Sequence, residues 1–120
     1  MTKLIKIIYF IFIIFHSLFF QAVNAQEKIK IGLLVPMTGD NKEIGESIIK
    51  AVGLAVKDID NDLIEIFPKD TASKANQTLK SAFELSEMGI KIVIGPVFYE
   101  SLTYLDEMKN LTFLSLTNKT

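Results

Sequence analysis

Short apolar segments alternate with helix-forming segments throughout the chain after residue 28, and this alternation constrains the fold more than any other feature. Apolar runs bounded by proline, glycine or polar residues predict strands. These runs lie at residues 29–35, 63–67, 90–94 and 112–116. Apolar residues at three- and four-residue spacing predict the intervening helices, at residues 43–60, 74–88 and 100–110. One helix per connection predicts an α/β fold: a parallel sheet with right-handed crossovers and helices on both faces.

Two of the predicted helices carry residues that bear on packing. The helix over residues 43–60 contains Gly45 and Gly53, which weaken a helix and which we interpret as points of close approach to the sheet. The helix over residues 74–88 is expected to begin at a side-chain cap from Thr71 or Ser73. Its sheet-facing stripe is predicted to comprise Ala75, Leu79, Ala82, Phe83 and Leu85 or Ser86.

The loops that follow the strands are the expected functional edge of the fold. In open parallel sheets, ligands bind beyond the carboxyl ends of the strands. Four loops meet that description, at residues 36–41, 69–73, 95–100 and 116–120. Asp70 and Thr71 in the second loop are expected to organise their own turn, because short polar side chains bond to nearby backbone in turns.

The first 25 residues predict a secretory signal peptide. Two lysines precede an apolar run at residues 7–15, and Val23 and Ala25 occupy the positions where signal peptidase requires small side chains. The apolar run is shorter than the roughly 20 residues of a membrane span. Cleavage would leave Gln26 as the N-terminus of a protein that works outside the cytoplasm, and an uncleaved membrane anchor is the alternative interpretation.

Composition narrows the function of residues 26–120, which are enough for one small domain. Without the signal peptide, eleven lysines face fourteen acidic residues, a net charge of −3, and the sequence has no arginine. This balance argues against nucleic acid as a partner. The sequence has no cysteine, so no disulfide can form, and its single histidine, His16, lies in the signal peptide. No metal, cofactor or catalytic motif is predicted.

Three segments resemble the type I periplasmic-binding-protein family, which includes the branched-chain amino-acid receptors. They are KIGLLVPMTG at residues 30–39, KDT at residues 69–71 and IVIGP at residues 92–96. No single segment is specific for this family. The three segments together, in this order and at this spacing behind a signal peptide, are fairly specific for it. The resemblance covers residues 28–118.

The resemblance implies that residues 26–120 are the first part of the N-terminal lobe of a two-lobed receptor that closes on a small ligand. Such receptors deliver solutes, amino acids among them, to the membrane permease of an ABC transporter and are not enzymes. A second branch of the same fold regulates penicillin-binding proteins in cell-wall synthesis. The segments GPVF at residues 95–98 and SLTN at residues 115–118 are similar to that branch, so both functions stay open.

The resemblance also implies ligand-binding residues in the loop after the third strand. In the amino-acid receptors this loop gives a serine and backbone N–H groups to the ligand carboxylate, and helix starts suit anions. The candidates here are Phe98, Tyr99 and Ser101. Ser101 has the alternative of capping the third helix, and the two aromatic residues have the alternative of core packing. Glu100 beside such a site would repel a carboxylate.

Three further ligand-binding candidates lie in the first and fourth loops. Thr117 and Asn118 would present a hydroxyl and an amide to the ligand, with ordinary loop positions as the alternative. Thr38 would face the ligand cleft from the first loop.

Overall fold

The N-terminal segment forms a helix, α1, at Thr2–Phe19. A computed structural model describes residues 1–19 and 26–117 of the chain. Among these described residues, no helix is long and apolar enough to cross a membrane. The predicted cleavage residues Val23 and Ala25 lie outside the described residues, so the signal peptide stays a prediction.

Four parallel strands form one sheet in the order β2-β1-β3-β4. The strands are β1 (Ile29–Val35), β2 (Ile64–Asp70), β3 (Ile92–Ile94) and β4 (Thr112–Leu114). The chain leaves β1 toward one side to form β2 and then crosses back to form β3 on the other side. Such a reversal of strand order is the point where an open α/β sheet leaves a crevice for a ligand.

Helices α2 (Lys42–Ile59), α3 (Ala75–Glu87) and α4 (Tyr99–Thr103) connect the strands and cover both faces, as predicted. Successive β1 side chains point to opposite faces. Leu33 shares a hollow with Ile49 and Val52 of α2. Its neighbour Gly32 faces α3, where an added Cβ would lie 2.7 Å from Leu85 Cδ1.

The hydrophobic core lies on the α3 side of the sheet. Burying each of its leucine, isoleucine or valine side chains contributes about 1.5–3 kcal/mol. The core comprises Leu34, Ala82, Leu85, Ile90, Val93, Leu105, Met108 and Leu111. Because α3 supplies two of these residues and the segment after α4 supplies three, this layer holds the loops after β2 and β3 in place.

The second strand is longer than predicted, since it continues through Pro68 to Asp70. Proline has no N–H to donate, but among the described strands β2 lies at the edge of the sheet and pairs with β1 alone. An edge position tolerates the loss of that donor. As a result Asp70 is the last residue of a strand, directly beside Val35 at the end of β1.

The later elements are shorter than predicted. The helix expected at residues 100–110 is limited to Tyr99–Thr103 and is followed by turns. This stretch contains threonine, tyrosine, aspartate and asparagine, which are modest helix formers. Turns still direct Leu105 and Met108 into the core. The third and fourth strands have three residues each instead of five, because β3 pairs with β1 only across Ile31–Leu33.

Several apolar side chains of α2, α3 and β4 are exposed. Phe83, predicted to face the sheet, is 55% exposed on the outer side of α3. On α2, Ile44, Leu54 and Ile59 are also exposed. On the α2 side of the sheet, Leu114 of β4 is likewise exposed. The α3 side is therefore the well-packed layer, and the α2 side retains a broad apolar surface.

Candidate functional site

The loops after β1 and β2 are joined through one carboxylate. Asp70 Oδ1 accepts hydrogen bonds from the backbone N–H groups of Met37 (2.8 Å) and Ala72 (2.8 Å), with a longer bond from Thr38 N (3.3 Å). Asp70 Oδ2 accepts a hydrogen bond from the Thr38 hydroxyl at 2.6 Å. The expected turn-forming role of Asp70 is confirmed by its bond to Ala72, and the carboxylate also fixes the neighbouring loop.

These bonds favour the charged form of Asp70. Desolvation raises the pKa of the carboxyl, and the hydrogen bonds, led by that from Thr38, lower it. The hydrogen bonds prevail, so the pKa lies below its ordinary value. Because the carboxylate already accepts four hydrogen bonds, its role here is to hold backbone.

The loop after β2 makes a tight turn into α3. Thr71 is buried, its N–H donates to the carbonyl of Val35, and its hydroxyl accepts from Ser73 N–H. Ala72 and Ser73 have positive φ angles of 47° and 57°, a conformation that costs side-chain-bearing residues about 1–2 kcal/mol each. The N-cap of α3 is Lys74, with no side-chain capping bond. The predicted cap by Thr71 or Ser73 is therefore wrong, because both residues are used in the turn.

A groove of about 190 Å³ lies where the starts of α2, α3 and α4 come together. It is lined by Asn41, Ser73, Ala75, Phe98, Glu100 and Ser101. These residues come from the loops after β1, β2 and β3 and from the first turns of α3 and α4 that follow. The strands β1, β2 and β3 lie on either side of the reversal in strand order. Asn41 Nδ2 donates to Ser73 Oγ at 3.1 Å, which links two of the three loops across the groove.

Ser101 forms part of the groove floor and is only 3% exposed. Its hydroxyl oxygen lies 3.2 Å from Thr78 Oγ1 in a hydrogen bond, and Thr78 Oγ1 also donates to the carbonyl of Lys74 at 2.8 Å. The N-cap of α4 is Phe98, without a side-chain capping bond. The alternative that Ser101 caps this helix is therefore wrong, since Ser101 lies within α4 and ties it to α3.

The structure separates the predicted ligand-binding residues into two groups. Phe98 and Ser101 line the groove. Thr38 does not line it, and its hydroxyl bonds to Asp70 instead. Tyr99 starts α4 and Thr117 follows β4, where its N–H donates to Ser115 Oγ, and neither is among the groove-lining residues.

The sixth candidate, Asn118, lies outside the described residues. Loop four nevertheless runs beside loop three, because Leu116 N–H donates to the carbonyl of Pro96 at 3.1 Å. A ligand role for this loop stays a prediction.

Sequence reasoning did not select Asn41 and Ser73 as site residues. In each loop, Asn41 or Ser73 is the small polar residue nearest the start of the next helix. A search of the sequence for small polar residues at predicted helix starts would therefore select both. In the described ranges, 1–19 and 26–117, no three acidic or histidine side chains are grouped so as to hold a metal ion. The chemistry available in the groove is hydrogen bonding from amide and hydroxyl groups, an aromatic wall and one carboxylate, that of Glu100.

Comparison with known proteins identifies the family. The family model described as periplasmic binding protein matches residues 28–118. The chain belongs to the periplasmic binding protein family. No curated protein matches the chain significantly. The resemblance inferred from the sequence is therefore confirmed over the residues that carried it.

Solved structures share the fold of this family member. A leucine binding protein, LivK, from Thermotoga maritima superposes with a TM-score of 0.66 at 18% identity, covering 72% of this chain and 27% of that protein. A solute binding protein of an ABC transporter from Rhodopseudomonas palustris, in complex with 3,4-dihydroxybenzoic acid, has a TM-score of 0.68 at 24% identity, covering 73% and 26%.

A third neighbour represents the other branch of the fold. Full-length LpoA from Haemophilus influenzae superposes with a TM-score of 0.65 at 24% identity, covering 81% of this chain and 18% of that protein. This chain thus spans about a quarter or less of the length of these three proteins. At these identities the likeness establishes the fold alone.

Proposed function

We propose that this chain is the ligand-facing first part of an extracytoplasmic solute-binding protein, which delivers a small molecule to the membrane permease of an ABC transporter. In this proposal residues 1–25 are a cleaved signal peptide and residues 26–120 contribute half of a binding cleft in the periplasm. The function is binding without catalysis, and amino acids are among the candidate ligands.

The groove is the observation that supports this proposal. It lies at the reversal of strand order, where three loops meet. The Asn41–Ser73 and Asp70–Thr38 hydrogen bonds join the first two loops, and the Thr78–Ser101 hydrogen bond ties the helix after the third loop to α3. A small polar ligand would find an amide, hydroxyl groups and the first turn of α3, where the helix dipole supplies partial positive charge. Prearranged polar groups of this kind fix the orientation of a small ligand.

The charge of Glu100 bears on which ligand is preferred. It is exposed, and among the groove-lining residues that the structure describes it is the one with a charged side chain. A carboxylate ligand would be repelled by it, whereas a ligand with an ammonium or hydroxyl group would not. We therefore expect Glu100→Gln to tighten binding of benzoate about two- to fivefold, a typical effect of one exposed charge pair.

Calorimetric titration of the full chain with leucine and with benzoate tests the proposal. The first probe matches the leucine binding protein described above. The second matches another solute binding protein, from R. palustris, which was solved in complex with benzoate and superposes with a TM-score of 0.61 at 20% identity. We expect weak saturable binding that Ser73→Ala reduces. The matched control is Ser47→Ala, on the exposed surface of α2, where the hydroxyl bonds only to its own helix. Binding that is absent, or equally affected by both substitutions, would contradict the proposal.

A second function is favoured by the likeness to LpoA, whose C-domain is described as a regulator of PBP1A. In that case the chain would contact a penicillin-binding protein and would need no small ligand. Immobilised soluble penicillin-binding protein, probed with the full chain, tests this alternative. Saturable binding to that protein together with no calorimetric response to leucine or benzoate would favour the regulator.

A further inference from the structure

The outer side of α3 carries an exposed aromatic surface far from the groove chemistry. The inner side of the helix is buried, with Ala82 and Leu85 in the core. On the opposite side Phe83 is 55% exposed, and Tyr104, in the turn after α4, is 56% exposed. Large aromatic side chains grouped on a surface are characteristic of protein contacts.

A hollow of about 230 Å³ separates these two rings. Its lining includes Leu79, Met108 and Glu107 besides the two aromatic side chains, and a hydrogen bond between Asn110 and Ser86 lies at its end. A second hollow beside it shares Leu79, Tyr104 and Glu107. Together they form an open apolar groove next to the projecting ring of Phe83.

Charges flank Phe83 in a self-complementary order. Lys80 precedes it by three residues and Glu87 follows it by four, so helical geometry places all three on one stripe of α3. An antiparallel copy of the same helix, related by a two-fold axis near Phe83, brings Lys80 of each copy opposite Glu87 of the other. Glu84 pairs with Lys69 Nζ at 2.7 Å, and Lys80, four residues before it on the helix, is a weaker electrostatic neighbour of the same carboxylate.

We propose that a second copy of this chain docks on this surface, with the two α3 helices antiparallel and each Phe83 ring entering the hollow beside Tyr104 of the other copy. A two-fold interface requires one patch to fit itself. This patch supplies both the projecting ring and the hollow, and both members of the charge pair. The interface is separate from the ligand groove, so it does not depend on the proposed function.

Self-association of the full chain, purified in a mild detergent that shields α1, measures the interface directly by sedimentation. We expect a dimer that Phe83→Ala disrupts. The matched control is Leu54→Ala on α2, which removes a side chain that is 64% exposed on the other side of the sheet. A chain that is monomeric at all concentrations contradicts the proposal, as does a dimer that survives Phe83→Ala.

Charge reversal tests the antiparallel arrangement. Lys80→Glu and Glu87→Lys are each expected to weaken the dimer about tenfold, since each creates two repulsive contacts. The double substitution restores both pairs and is expected to recover the original dissociation constant. A double variant as weak as the single variants would overturn the antiparallel pairing.

The absence of cysteine from the sequence allows a cross-linking test of the same register. Lys80→Cys chains and Glu87→Cys chains are prepared separately, mixed and mildly oxidised. Random collision of equal amounts of the two variants gives a mixed dimer roughly twice as abundant as each homodimer. Disulfides form only between Cα atoms about 4–7 Å apart, so we expect the mixed dimer to exceed each homodimer by well over that statistical factor of about two. Products in the statistical ratio contradict the proposal.

Discussion

The Thr38 hydroxyl donates a 2.6 Å hydrogen bond to Asp70 Oδ2, which joins the ends of the two neighbouring strands β1 and β2. The same carboxylate accepts the N–H groups of Met37 and Ala72. Without these bonds the first two loops would lose their shared anchor. The groove residues Asn41 and Ser73 lie three residues further along these loops. Asp70 therefore positions the groove residues although it does not line the groove itself.

Replacing Asp70 by alanine should destabilise the chain by about 1–2 kcal/mol, because several donors lose a charged acceptor that is only partly shielded from water. Thr38→Val, which removes one of the bonds, should cost less. Urea unfolding of the full chain, followed by circular dichroism, measures both effects. Asp106→Ala, in an exposed turn, is the control. An Asp70→Ala variant as stable as that control would contradict the anchoring role.

The stability of the chain should fall in acid partly through Asp70. Its pKa is lowered in the folded state, so the charged form stabilises the fold. This contribution is complete above the unfolded pKa of 3.8 and is lost as the pH falls from there through the folded pKa. Asp70→Asn should therefore flatten the acid limb of a stability–pH curve, measured as the urea midpoint between pH 7 and pH 3. An unchanged acid limb would show that other carboxyl groups cause the loss.

The two glycines of α2 should respond oppositely to alanine. A Cβ at Gly45 would lie 1.8 Å from the carbonyl oxygen of Pro36, whereas a Cβ at Gly53 would meet nothing within 4 Å. Gly45→Ala should cost about 3 kcal/mol or more through overpacking. Gly53→Ala should stabilise by about 0.5–1 kcal/mol because alanine favours the helix. The midpoints of thermal unfolding of the two variants measure these effects. Similar changes at both positions would contradict the close approach of α2 to Pro36.

The buried Thr78–Ser101 pair should behave as a unit. Thr78→Val should cost about 1–3 kcal/mol, since it leaves the buried Ser101 hydroxyl without this partner. Adding Ser101→Ala removes that hydroxyl and should recover part of the loss. A double-mutant cycle of unfolding free energies measures the coupling. Strictly additive costs would mean that the two hydroxyl groups do not interact.

Much of the fold follows from the sequence because its pattern is local. The bounds of β1 are those predicted, and α2 and α3 differ by one residue at each end. The predictions fail where contacts with residues distant in the sequence determine the local structure. Pro68 was predicted to end a strand, and only the edge position of β2 explains why it does not. Phe83 fits an inward helical stripe by spacing, yet the sheet is already covered by Ala82 and Leu85.

The site was less predictable than the fold. The loops that form it followed from the strand order, but the side chains that line it depend on turn geometry. Positive φ angles at Ala72 and Ser73 direct the Ser73 hydroxyl to Asn41 across the groove. Ser101 lines the groove, but Thr78 of another helix determines what its hydroxyl bonds to. Such contacts between distant residues have no signature in one sequence.

Amide chemical-shift mapping of the full chain during titration with leucine and benzoate tests the central claim, that the groove at the carboxyl ends of the strands is the ligand site. We expect saturable shifts at the amides of Asn41, Ser73 and Ser101, with the amides of Gly53 and Phe83 unchanged. Shifts confined to other surfaces, or none at any of the three groove residues, would contradict the claim.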